Sequence, residues 1–126
     1  MNVGVLKFHY AMVYKHSIFA VDCQDEIEDI FRESARRHLP GEPISMGVKW
    51  SMTGNRPRLL IDGSIGPGDV QFIESNCMFF FARSLVHMQR LGFEVVDFTK
   101  RMVALEDRRA DRASYISQFA KRQKYI

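Results

Sequence analysis

DVQFIESNCMFFFARSLVHMQRL, residues Asp69–Leu91, carries more large apolar side chains at helical spacing than any other part of the chain. Asp69 suits the amino end of a helix, because a carboxylate accepts the free amide hydrogens of a first turn, and Gly92 suits a left-handed carboxyl cap. Within the helix, Cys77 to Ala82 is apolar on every side, which predicts burial on more than one face. Phe80 and Phe81 are therefore both expected to be buried, on different sides.

Upstream, Ile44, Met46, Val48, Trp50 and Met52 alternate with Ser45, Gly47, Lys49, Ser51 and Thr53, the pattern of a strand with one buried and one wet face. Gly54 and Asn55 form a hairpin dipeptide. A turn centred on them sets Trp50 opposite Leu59, Val48 opposite Ile61 and Ile44 opposite Ile65. Pro57 then falls at a non-hydrogen-bonded pair, where its missing amide hydrogen is not needed. Gly63, Gly66, Pro67 and Gly68 read as the break before the helix.

Further out, Asp22 caps a second helix. Ile27, Ile30, Phe31, Ser34, Ala35 and Leu39 line its apolar face, and Arg36, Arg37 and His38 precede the stop at Pro40 and Gly41. Val3–Val13 alternates as a strand, Ile18–Val21 resumes as a short one, and Phe93–Phe98 reads as another. The remainder, from about Thr99, reads as a helix whose start is poorly marked. Counted from Ile18, the order is strand, helix, strand, strand, helix, strand, the split βαβ order of the ferredoxin-like sandwich. The expectation is an α+β domain with helices on one face of an antiparallel sheet, an extra N-terminal strand and a C-terminal helix. Residues 1–98 form its core and 99–126 its basic tail.

A chain of 126 residues with 46% apolar and 26% charged residues fits one soluble globular domain. Cys23 and Cys77 lack the paired spacing of a disulfide frame or a zinc knuckle. Lys7, His9, Lys15 and His16 interrupt the apolar N-terminal stretch, so neither a signal peptide nor a membrane span is expected, and the cytoplasm is. The net charge of +3 is uneven: residues 1–98 hold 10 Lys/Arg and 12 Asp/Glu, net −2, and residues 99–126 hold 8 and 3, net +5. A basic terminal segment is the footprint of a nucleic-acid or acidic-protein partner, and equally of a solvated surface.

No linear motif names a reaction. Cys77 and His87 stand ten residues apart, roughly 15 Å along one helix, too far for a nucleophile and its base. Cys77 reads better as a small buried hydrophobe. His9, His16, His38 and His87 have no metal-site spacing, and neither metal nor cofactor is expected. The glycine loop lacks a phosphate-binding lysine, and Asp69 opposes an anion there. The carboxylates of the second helix, from Asp22 to Glu33, read as a cap and a solvated face.

Asp62, on the wet side of its strand, is a further candidate. If residues 101–122 form one helix, Arg101, Arg108, Arg112, Tyr115, Phe119 and Arg122 share a stripe in which guanidinium groups meet phosphates and rings stack on bases. The same rings can instead pack on the sheet or on a second copy of the chain. The expected function is non-enzymatic binding of a macromolecule, either nucleic acid or an acidic protein surface. The latter includes a small inhibitor or adaptor docking on a larger enzyme, and a homodimer is a further expectation. The enzymatic alternative uses Asp62, His87 or Cys77.

Overall fold

Among residues 2–16, 24–52 and 57–105, which the computed structural model describes, β1 (Val3–Tyr14) leads into α1 (Gln24–His38), followed by β2 (Ile44–Ser51), β3 (Arg58–Asp69), α2 (Val70–Arg90) and β4 (Phe93–Leu105). The strands form one antiparallel sheet in the order β2-β3-β1-β4. Both helices pack on the face carrying Leu6, Phe8, Tyr10, Met12, Leu59, Ile61 and Ile65. This is the ferredoxin-like split βαβ sandwich. Its first strand is Val3–Tyr14, however, so that segment is the motif's own β1 and not an addition in front of it. The expected strand at Ile18–Val21 and the cap at Asp22 lie outside the described residues.

The β2–β3 hairpin has the expected register, Ile44 with Ile65, Val48 with Ile61 and Trp50 with Leu59. The turn expected at Gly54 and Asn55 lies outside the described residues. β3 corrects the reading of the glycines, since the strand runs through Gly63, Gly66 and Gly68 to Asp69, which pairs with Val3. The ladder steps from Leu6–Ile65 to Gly4–Gly68, so two residues of β3, Gly66 and Pro67, oppose one of β1. Gly66 has φ +114°. Glycine and proline here make a β-bulge instead of ending the strand.

β4 is the larger correction. It continues through Thr99, Lys100 and Arg101 to Leu105, which pairs with Val3, so residues 99–105 are strand and not the start of a helix. Another bulge explains why the alternation hides this. Ala11 pairs with Asp97 but Met12 with Val95, leaving Val96 unpaired. The helix-facing side chains therefore change from odd positions, Phe93 and Val95, to even ones, Phe98, Lys100 and Met102. As an edge strand, β4 also carries the exposed charges that discourage further pairing.

An aromatic cluster fills the space between helices and sheet. The Phe8 ring lies 6.3 Å from Phe31, 5.7 Å from Phe80 and 5.4 Å from Phe81, and Tyr10 stacks on Phe98 at 4.4 Å. Burial pushes the Tyr10 phenol upward, away from ionisation. Ser34 of α1 and Ser84 of α2 both donate to the Phe80 carbonyl, at 3.0 and 2.7 Å, so the helix pair meets no unsatisfied buried hydroxyl there.

Asp69 caps α2 as expected, its carboxylate accepting from the Gln71 amide at 3.0 Å, and Gly92 takes φ +102°. Near this cap, partial burial and then the charge of Asp69 raise the pKa of Glu42. A carboxyl whose folded pKa is raised favours the folded state when protonated, and that contribution is lost as pH rises through the folded value. Glu42→Gln is therefore expected to gain in melting temperature over the wild type as pH rises through the carboxylate range. A difference independent of pH would contradict this.

Candidate functional site

α2 shows two unlike faces. Val70, Ile73, Cys77, Phe80, Phe81, Ser84 and Met88 are buried, Phe80 against Phe31 of α1 and Phe81 against Tyr10 and Phe98 of the sheet. The expectation for this phenylalanine pair thus holds. Cover all round does not: Phe79 is 60% exposed and Met78 54%. A helix in a two-layer sandwich touches the sheet on one side and its neighbouring helix on another, which leaves its outer side without cover.

That outer side bears Phe79, Ala82, Arg83, Val86, His87 and Arg90, with offsets of 3, 4, 7, 8 and 11 from Phe79, one stripe of an α-helix. With His38 of α1 these residues line a groove of about 430 Å³. His38 stacks on Phe79, ring centres 5.9 Å apart. Val86 is 43% exposed. Two arginines and two histidines border the apolar floor, and no carboxylate is among the described lining residues. Fully burying a phenylalanine side chain contributes about 1.5–3 kcal/mol, so the groove offers a partner both apolar area and positive charge.

The residues singled out from the sequence disperse. Cys77 is buried and its thiol donates to the Glu74 carbonyl at 3.5 Å, while His87 lies in the outer groove, so the two do not meet. Asp62 does gain a partner: its carboxylate lies 2.6 Å from His9 Nδ1, on the face of the sheet away from the helices. Arg101 lies on β4 opposite Lys7, which rules out a single helix over 101–122. Arg108, Arg112, Tyr115, Phe119 and Arg122 lie outside the described residues. Among the described residues no group of three or more His, Cys, Asp or Glu side chains is placed to hold a metal ion, and no helix is long and apolar enough to cross a membrane.

The groove is hidden in the sequence because an apolar helix side reads the same whether the fold covers it or a partner does. One signal was present. Arg83 and Arg90 fall beside Phe79 and Val86 at helical spacing, and cations bordering an apolar stripe are unusual on a core-facing side.

No family model matches the chain, and no curated protein matches it either. Among solved structures it is similar to a hydantoinase/carbamoylase family amidase from Burkholderia multivorans, with TM-score 0.53 and 9% identity over 80% of this chain and 27% of that one. A related amidase from Burkholderia ambifaria gives TM-score 0.51 and 8% identity over 81% and 27%. A dimeric ferredoxin-like protein from an uncultured marine organism gives TM-score 0.45 and 15% identity over 83% and 97%. The chain spans under a third of the length of the two amidases, and at these identities the likeness is one of fold alone.

Proposed function

We propose that the chain is a protein-binding domain that docks an acidic, amphipathic segment of another protein along the outer face of α2. The observation that carries this is Phe79, a large ring 60% exposed in the middle of a helix and bordered by Arg83, Arg90, His38 and His87. Apolar anchors near the centre of a patch supply most of an interface's binding energy, and the arginines beside this one select a partner of opposite charge. A second copy of the chain is a poor occupant, because two such faces would set arginines against arginines.

The test is fluorescence anisotropy with a labelled helical peptide carrying leucines on one side and glutamates flanking them. Binding should weaken as salt rises. It should fall by about 2 kcal/mol or more in Phe79→Ala, and be lost when Arg83→Glu and Arg90→Glu are combined. Equal binding by wild type and Phe79→Ala contradicts the proposal, as does a dimer in sedimentation equilibrium that Phe79→Ala dissociates.

A second reading, nucleic acid held by the tail, is favoured by the exposed Lys100 and Arg101 that lead into it and by the net +5 of residues 99–126. It requires single-stranded DNA or RNA to bind at low salt. Replacing Tyr115 and Phe119 with Leu should then weaken binding without loss of stability, because leucine packs but does not stack on bases.

A further inference from the structure

The sheet face turned away from the helices carries two rows of side chains in register across three strands. Asp62 of β3, His9 of β1 and Thr99 of β4 form one row; Ser64, Lys7 and Arg101 form the next. The rows border an open concavity of about 570 Å³, within the range of small-molecule sites. On β2 they continue into Gly47 and Ser45, and a methyl group added at Gly47 would meet nothing within 4 Å. That side of the concavity is open.

Its charges are unevenly satisfied. Among the described residues Asp62 is the single carboxylate lining the concavity, and His9 Nδ1 holds it at 2.6 Å, which leaves the other ring nitrogen of His9 for a ligand. Lys7 and Arg101 face each other directly across β1 and β4, and like charges in opposed positions destabilise a sheet. No described carboxylate pairs with either. A dianion bridging the two would turn this repulsion into two charge-assisted interactions, the guanidinium gripping two oxygens at once.

The borders narrow the class of ligand. Asp97, opposite Ala11 one row beyond Thr99, repels an anion from that side. On the other side Val5 pairs with Val103, an apolar strip beside the cations. The described aromatic residues of the four strands, Phe8, Tyr10, Tyr14, Trp50, Phe93 and Phe98, all belong to the helix side of the sheet. Among the described residues the open face therefore has no phenylalanine, tyrosine or tryptophan ring on which a base can stack, and the imidazole of His9 is held by Asp62, which argues against single-stranded nucleic acid. We infer that this face binds a small phosphate monoester, with Lys7 and Arg101 on the phosphoryl oxygens, Thr99 and His9 at their side, and the organic part of the ester over Val5 and Val103.

The experiment follows backbone amide shifts of the isotope-labelled protein during titration with inorganic phosphate, phenyl phosphate and a short oligothymidylate. Phenyl phosphate should saturate at millimolar concentration or below, moving Lys7, His9, Thr99 and Arg101. It should bind about tenfold or more tightly than inorganic phosphate, the difference being the apolar strip. Arg101→Gln and Lys7→Gln should each weaken it about tenfold while leaving the melting temperature of the free protein unchanged or raised, since each removes the like-charge pair. Arg101→Lys should retain part of the affinity. Equal affinity for inorganic phosphate and the ester would overturn the assignment of an organic moiety. Tighter binding of oligothymidylate through the same residues would overturn the small-molecule class. Shifts that do not saturate, or that persist unchanged in Arg101→Gln, would overturn the site.

Discussion

Phe80→Ala is expected to cost about 3–5 kcal/mol, and Phe79→Ala, one residue earlier, about 0.5 kcal/mol or less. The two rings share a chemistry and differ in surroundings. Phe80 is fully buried, with ring centres 5.7 Å from Phe8, 5.9 Å from Phe31 and 5.0 Å from Phe81. Its removal leaves a cavity enclosed by aromatic groups that cannot easily collapse into it. Phe79 meets His38 on one side and solvent on the other. Urea unfolding of both variants checks the contrast, and a cost above about 2 kcal/mol for Phe79→Ala, outside the usual surface range, would show that its side chain is needed by the fold.

Gly63→Ala is the second large effect. A methyl group there would overlap the Phe8 ring, which lies across the Gly63 backbone as its cross-strand partner. Phe31, Phe80 and Phe81 surround Phe8, so the ring has little room to retreat. Overpacking of this kind costs about 1–3 kcal/mol, occasionally more. Gly47→Ala, on the neighbouring strand with open space above it, is the control. Glycine costs a strand interior about 0.5–1 kcal/mol relative to alanine, so this variant should be neutral or slightly stabilised. Equal destabilisation by both substitutions would contradict the placement of Phe8 over Gly63.

These contrasts mark what the sequence made legible. Segments with an unbroken period were readable: Ile44 to Ser51 gave the hairpin register to the residue, and Ile27, Phe31 and Ala35 gave the buried side of α1. Bulges defeated the same reasoning. The extra residue at Val96 changes which positions of β4 face the helices, so the strand's second half looked like the beginning of something else. Gly66 and Pro67, residues that usually end a strand, here bend one that continues.

The split βαβ order was found with its first strand misplaced, because Val3–Tyr14 shows its partners only through pairings with residues some 50 to 100 positions away. For the same reason the His9–Asp62 pair, 53 residues apart in sequence, had no local signal, although Asp62 alone could be placed on the wet side of its strand. The groove along α2 was hidden differently. Phe79 has the composition of a core residue, and only the position of the helix in a two-layer sandwich shows that the fold leaves it without cover.

That the exposed side of α2 is a docking surface is tested most directly by placing a photo-crosslinking phenylalanine analogue at position 79 and irradiating the protein in its native cell. The expected result is a crosslink to a segment of another protein rich in Asp and Glu, one that disappears when Arg83→Glu and Arg90→Glu are introduced together. A crosslink to a second copy of the chain, or one indifferent to the two charge reversals, would contradict it.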